Sequence, residues 1–337
     1  MRRMIVDTAN LLFRVSAAQG KYGSSASPED RAGLALHIFL NAMNKYYKQF
    51  KPDQIAMTFE GSNNWRKDYT KSAACISKKV YKANRVKDPS MIPFFELIKA
   101  FEDLARNHTS LVCLSNPILE GDDLFAGYVQ RFTAQGDEVI GISGDKDFVQ
   151  LLKYPNFTLI NPDTGKPRLL KDVCGVDDPV FFMFEKAMRG DRGDNIFPAY
   201  PRVLKKRLLK CLEDDYELTK IMNETWSYTD PETQESTEFC VGDLFNENIL
   251  LMDLEAQPEH IRKVIQETLD YELVHHGKWN FFQFTKFCGK YGLKQIAENA
   301  QQFASLFSIT EKNSIVKEQL AEARRKKSLI EFWNLHL

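Results

Sequence analysis

The sequence predicts an α/β protein with a mainly parallel central sheet flanked by helices and a mostly helical C-terminal region. Three observations carry this expectation. The first half alternates short apolar runs with longer amphipathic stretches, the pattern of successive β-α units. From Ile196 onward the pattern is mostly helical. A composition of 43% apolar and 27% charged residues over 337 positions gives the chain enough material for a sizeable core. The length exceeds the roughly 100–200 residues of one typical domain. Expected units are therefore 1–195, 196–320 and a tail at 321–337.

Met4-Ile5-Val6 reads as the first strand. Residues 28–50 read as a long helix, with Leu34, Ile38, Tyr46, Tyr47 and Phe50 on or near one face. Ile55-Ala-Met-Thr-Phe59 is the second strand. Between residues 62 and 95 eight Lys and Arg face two Asp, among them Arg66, Lys67, Lys78, Lys79, Lys82 and Arg85. With few large apolar residues beyond Trp65, Tyr69, Ile76 and Tyr81, the stretch 62–93 is expected to lie over the site as a mobile basic arch. A plain surface loop is the competing reading. Then come a helix at 94–106, a strand at 110–114, a helix opening near Glu120, a strand at 138–143, a short helix at 148–152, a strand at 157–160 and a helix at 179–188. Residues 226–238, rich in Thr, Glu and Ser, read as an exposed insertion.

No window approaches the roughly 18 uninterrupted apolar residues of a membrane span. Met1-Arg2-Arg3 runs into a strand instead of a signal-peptide core. The expected location is the cytoplasm, with no membrane partner. The six cysteines are scattered without zinc-ligand spacing and read as reduced packing residues. A net charge of −1 conceals its distribution. Besides the arch, Arg202, Lys205, Lys206, Arg207 and Lys210 form a run without an acid, suited to a phosphate backbone or to a solvated helix face.

The acids carry the chemistry. Asp7 follows the first strand, Glu60 the second, and Asp145 and Asp147 stand in Ser143-Gly-Asp-Lys-Asp147 after a third. In open α/β sheets the ligand crevice lies outside the carboxyl ends of the strands, so these residues should converge. Glu120, Asp122 and Asp123 at a helix start, and Asp191 and Asp194 in Gly190-Asp-Arg-Gly-Asp-Asn195, extend the set. So many acids raise each other's pKa unless cations intervene. Oxygen donors suit Mg²⁺ or Mn²⁺, whereas zinc would call for His and Cys clusters. Two such ions, about 3.5–4 Å apart, can activate water and stabilise a leaving oxygen. Each acid alone also reads as a turn residue or helix cap. Their recurrence beside a basic segment favours a site.

In order along the chain, Val6-Asp7-Thr-Ala-Asn-Leu-Leu-Phe-Arg14, Phe59-Glu60-Gly61, Tyr81-Lys82-Ala-Asn-Arg85, Glu120-Gly-Asp-Asp123, Ser143-Gly-Asp-Lys-Asp147 and the Gly190 to Asn195 motif resemble the motifs of the flap endonuclease and 5′→3′ exonuclease family. Trp65-Arg-Lys-Asp-Tyr69 and the run from Asp147 to Asn156 are most similar to its ribonuclease H branch from T-even bacteriophages. The resemblance implies a PIN-like core and a metal-dependent phosphodiester hydrolase acting on RNA primers and DNA flaps. It implies a tighter metal site at Asp7, Glu60, Glu120, Asp122 and Asp145, with Asp123 and Asp147 close by, and a weaker one at Asp191 and Asp194. Lys82 and Arg85 would hold the scissile phosphate. Glu60 stands where the family usually has Asp, and the glycine-rich hairpin of many relatives is replaced by Ile196-Phe-Pro-Ala-Tyr-Pro-Arg-Val203. Arg202, Lys205 and Lys206 would grip duplex in its place.

Implied partners are branched or 5′-ended DNA, RNA-DNA duplex, a sliding clamp and a single-stranded-DNA-binding protein, with the chain a monomer in the host cytoplasm if phage-encoded. Leu329, Phe332 and Trp333, after a basic run, resemble clamp-binding anchors. The other reading is that this tail docks on its own domain. A binding protein of the same fold without catalysis is the alternative function.

Overall fold

The computed structural model describes residues 1–20, 27–86, 88–231 and 233–309, with the backbone alone over 15–20. The tail with Leu329, Phe332 and Trp333 lies outside the described residues. Elements follow in the order β1 (Arg2–Asp7), α1 (Thr8–Gly20), α2 (Pro28–Phe50), β2 (Gln54–Thr58), α3 (Trp65–Lys71), α4 (Ile92–His108), β3 (Val112–Leu114), α5 (Gly121–Ala134), β4 (Glu138–Ile142), β5 (Phe157–Asn161), β6 (Lys166–Pro167), α6 (Leu170–Cys174) and α7 (Pro179–Arg189). The second half has α8 (Lys205–Glu213), α9 (Asp215–Met222), β7 (Thr225–Thr229), β8 (Ser236–Cys240), α10 (Val241–Met252), α11 (Glu259–Glu272), α12 (Phe281–Lys290), α13 (Lys294–Glu298) and α14 (Ala304–Phe307).

The main sheet has the order β3-β2-β1-β4-β5-β6. Its first five strands are parallel, and β6 returns antiparallel on β5. The chain steps outward from β1 to β2 and β3, then crosses back to lay β4 on the other side of β1. That reversal is a topological switch point, where the carboxyl ends of neighbouring strands open a crevice. Strand β1 is buried on both faces, as a central parallel strand must be. Its side chains alternate. Met4 and Val6 join a core with α2, α4 and the final helices, while Ile5 joins one with α5 and α11.

Helix α2 starts where Ser27 accepts a hydrogen bond from Asp30 N at 3.1 Å and Pro28 fixes the first turn. Its buried stripe is Leu36, Phe39, Leu40 and Met43, so Leu34 and Ile38 do not share the core face as expected and are exposed. Two apolar positions two residues off the stripe are turned about 200° from it.

The segment expected as a loose arch is docked. Trp65, Arg66, Thr70, Cys75, Ser77 and Tyr81 are all buried. Its composition lacked apolar mass, but its polar groups find partners on α5 and α10. The stretch expected as an exposed insertion supplies most of β7 and the start of β8, which pair antiparallel. A boundary at 195 crosses all three apolar clusters: Phe284, Phe303 and Phe307 pack with Phe39 and Phe101, Ile265 with Phe125, and Phe181 with Leu244. All six cysteines are free and five are buried. Among the described residues no helix is long and apolar enough to cross a membrane.

Candidate active site

The exits of β1, β2 and β4 meet at the switch point. Asp7 is the last residue of β1, and its carboxylate accepts from Asn10 N at 3.1 Å and from Ser143 Oγ at 2.7 Å. Asn10 accepts from Gly144 N at 3.0 Å, which ties the β4 exit to the β1 exit. Beyond it, Asp145 N donates to Ser143 Oγ (2.9 Å) and Asp147 N to Asp145 Oδ1 (2.8 Å), so the turn aims both acids at the crevice. Glu60 follows β2, and its carboxylate accepts from Gly121 N at 3.3 Å. A Cβ at Gly121 would come within 3.3 Å of that carboxylate, so glycine lets the α5 start approach it.

Electrostatics identify the acids as one group. Burial pushes Asp7 up to about 6, against its hydrogen bonds and with added repulsion from Asp145. Glu60 rises to about 7 through crowding by the surrounding protein and then through Glu120 and Asp7, although solvent reaches it from the open side. Asp122 is held well above the usual carboxylate range by burial and by Asp145, Asp7, Glu60 and Glu120. Like charges at such range disfavour ionisation, and a divalent cation would relieve them. Among the described residues no three acids, histidines or cysteines already surround one ion-sized point. The donors are nonetheless all carboxylate oxygens, the chemistry that hard divalent cations take together with water.

Two lysines stand among these acids. Lys82 Nζ pairs with Glu120 Oε1 and lies 3.9 Å from Asp194 Oδ2, and Arg85 holds Asp194 at 2.6 Å. The Tyr81 hydroxyl is 3.0 Å from Glu120 and 2.9 Å from Asp194. Burial would raise Asp194, but Lys82, Tyr81 and Arg85 together hold it below its ordinary range. Lys186 pairs with Asp147 and lies 3.7 Å from Asp191. Burial raises Asp147, and Lys186 opposes it. The Gly190 to Asn195 loop closes through Asp191 N to Ile196 O (3.0 Å) and the reverse bond (2.7 Å).

Two expected roles are corrected. Asp123 is fully buried and faces away from the crevice: Arg66 grips it at 2.8 and 2.9 Å, Trp65 Nε1 donates to it at 3.1 Å, and it accepts from Glu120 N at 3.1 Å. It cannot serve as a metal ligand without dismantling that network. Arg66, 2% exposed, cannot reach nucleic acid; it instead bridges Asp123 to Glu120 at 3.1 Å. Lys67, Lys78, Arg202 and Lys206 are exposed. Lys79 is partly engaged by Asp230 at 3.3 Å, and Lys205 by Glu185 at 3.3 Å. Sequence reasoning missed Lys186, Tyr81 and Ser143. Tyr81 and Ser143 stood inside quoted motifs without a role, and the signal for Lys186 was a lysine on the last turns of a helix just before Asp191.

Comparison with known proteins agrees with this geometry. The sequence model of the 5′-3′ exonuclease N-terminal resolvase-like domain matches residues 2–174. Ribonuclease H of Enterobacteria phage T4 is 23% identical over 291 residues, covering 80% of this chain and 87% of that protein. Flap endonuclease Xni of Shewanella piezotolerans is 27% identical over 62% of this chain and 75% of its own. Among solved structures, the bacteriophage T5 protein co-crystallised with metal ions superposes with a TM-score of 0.57 at 20% identity, covering 80% of this chain and 99% of that one. The T5 flap endonuclease in a pseudo-enzyme-product complex with DNA and metal ions gives 0.55 at 21% identity, over 80% and 98%. The resemblance read from the motifs is borne out: the chain belongs to the 5′-3′ exonuclease family and is a nuclease of the exonuclease and flap-endonuclease type.

Proposed function

We propose that this nuclease removes RNA primers and DNA flaps from their 5′ ends during replication, with two Mg²⁺ or Mn²⁺ ions. The observation that supports it best is Asp122, whose carboxyl is crowded by Asp7, Glu60, Glu120 and Asp145, side chains delivered by four separate elements. Those five residues would hold the tighter ion, and Asp147, Asp191 and Asp194 the weaker one. When bound, two such ions supply a nucleophilic water at neutral pH and charge for the leaving oxygen. The chain's own part is placement. Lys82 and Arg85, now paired with Glu120 and Asp194, would exchange carboxylate for the scissile phosphate and stabilise its developing charge. Exposed Lys67, Lys78, Arg202 and Lys206 would follow the flanking phosphates.

The test is cleavage of 5′-flap and RNA-primed duplexes with Mg²⁺ and with EDTA, for wild type and Asp145→Ala. Activity should vanish in EDTA and fall at least about 10²-fold in the variant, the scale of losing one preorganised electrostatic partner. Metal-independent cutting, or an unimpaired variant, rejects the reading.

A further inference from the structure

Lys82 does not reach the crevice from a regular element. It sits on a loop with left-handed backbone at φ 56°, and Lys78 on the same loop has φ 51°. Non-glycine residues hold such angles only where surrounding structure fixes them. Part of the fixing is direct: Tyr81 N donates to Thr70 Oγ1 at 3.0 Å, and the Gly190 to Asn195 loop is met by Lys82 N to Asp194 O at 2.8 Å, Asn195 Nδ2 to Val80 O at 2.9 Å and Asn84 Nδ2 to Arg192 O at 2.6 Å. Another part comes from α10, beyond the residues 2–174 that the family model matches. Glu247, 3% exposed, accepts from the amides of Ile76 and Ser77, the latter at 3.0 Å. One turn on, Leu251 O accepts from Arg66 Nε at 2.8 Å. The neighbouring Asn248, 1% exposed, donates to Ala187 O and Phe197 O, both at 2.7 Å, and these bracket the loop that carries Asp191 and Asp194.

We propose that Glu247 and Asn248 are positioning residues: α10 is a strut that registers the Lys82 segment against the Gly190 to Asn195 loop, so that the phosphate-binding cations and the second acid pair face one another. The chemistry of Glu247 suits this task. Among the described residues no Lys, Arg or His is paired with it, so its charge is answered by neutral donors: the Tyr69 hydroxyl, the Cys75 thiol at 3.9 Å and, above all, two backbone amides, each a charge-assisted bond that a neutral side chain would weaken. The β7–β8 hairpin adds a second hold, with Lys79 3.3 Å from Asp230 and 5.0 Å from the centre of the Tyr228 ring.

The inference rests on the proposed role of Lys82 at the scissile phosphate, and its test separates the two. In the unmodified protein, hydrogen exchange at Ile76 and Ser77 should match that of α10 itself; exchange as fast as an open loop overturns the proposal whatever the variants do. In Glu247→Gln, protection of those two amides should fall about tenfold or more while β1 stays protected, because one acceptor oxygen becomes a donor facing an N–H. The same variant should lose about tenfold in kcat with KM within about twofold. In a Lys82→Ala background, Glu247→Gln should cost less than about twofold more, since both act through one ammonium. Unchanged exchange and kcat, or losses that simply add, overturn the proposal. A wild type that cannot cut would sink the function reading, and the exchange experiment would still judge the strut.

Discussion

Asp7 and Glu60 are carboxyls that folding makes harder to ionise. A folded pKa above the unfolded one means that the native state keeps protons that the unfolded chain has already released. Stability in chelator should therefore fall as pH rises from about 4 to about 7. For buried Asp7 the difference amounts to about 3 kcal/mol; Glu60, open to solvent, contributes less. Urea midpoints in EDTA across that range check it, and added Mg²⁺ should restore most at the upper end. A midpoint that is flat or rises with pH contradicts the assignment. Arg66 makes the opposite case. Arg66→Ala leaves Asp123 buried without its cation and should cost about 3–5 kcal/mol in unfolding experiments, with Arg66→Lys recovering part because it cannot grip both oxygens. The sequence showed that these acids and cations belong together but not which pairs are inward: Asp122 and Asp123 are adjacent, and only the rotation of α5 sends one to the crevice and the other to Arg66.

At the level of elements, strand exits were legible because a parallel sheet must place them on one edge, and three of the six motifs stand at those exits. The docking of residues 65–81 was not. Its anchors are polar, and polar anchoring depends on partners more than 100 residues away, such as Glu247, that carry no local signal. The loop from Gly190 shows how tightly such pieces are built. Gly190 has φ 67°, and a Cβ there would stand 2.6 Å from Ile196 O. Gly190→Ala should cost at least about 1–2 kcal/mol for the left-handed backbone alone, and should lower cleavage by more than stability loss explains because Asp191 and Asp194 move. Parallel urea and cleavage measurements check both parts; a variant with full activity would show that the loop position is not critical.

For the whole molecule, the expected division at 195 describes the motif order better than the packing. Residues 281–309 supply Phe284, Phe303 and Phe307 to the core that Met4 and Val6 begin. A chain ending at residue 280 should lose its cooperative thermal transition. The strand order has one more consequence, in time. Strand β1 leaves the ribosome before the other strands of its sheet, pairs on one side with β2 about 50 residues later, and has no partner on its other side until β4 arrives at residue 138. At roughly 5–20 residues per second, that apolar edge waits for several seconds or longer. Nascent chains stalled before β4 should therefore be captured by chaperones and cleaved by protease, and those carrying the C-terminal helices should not.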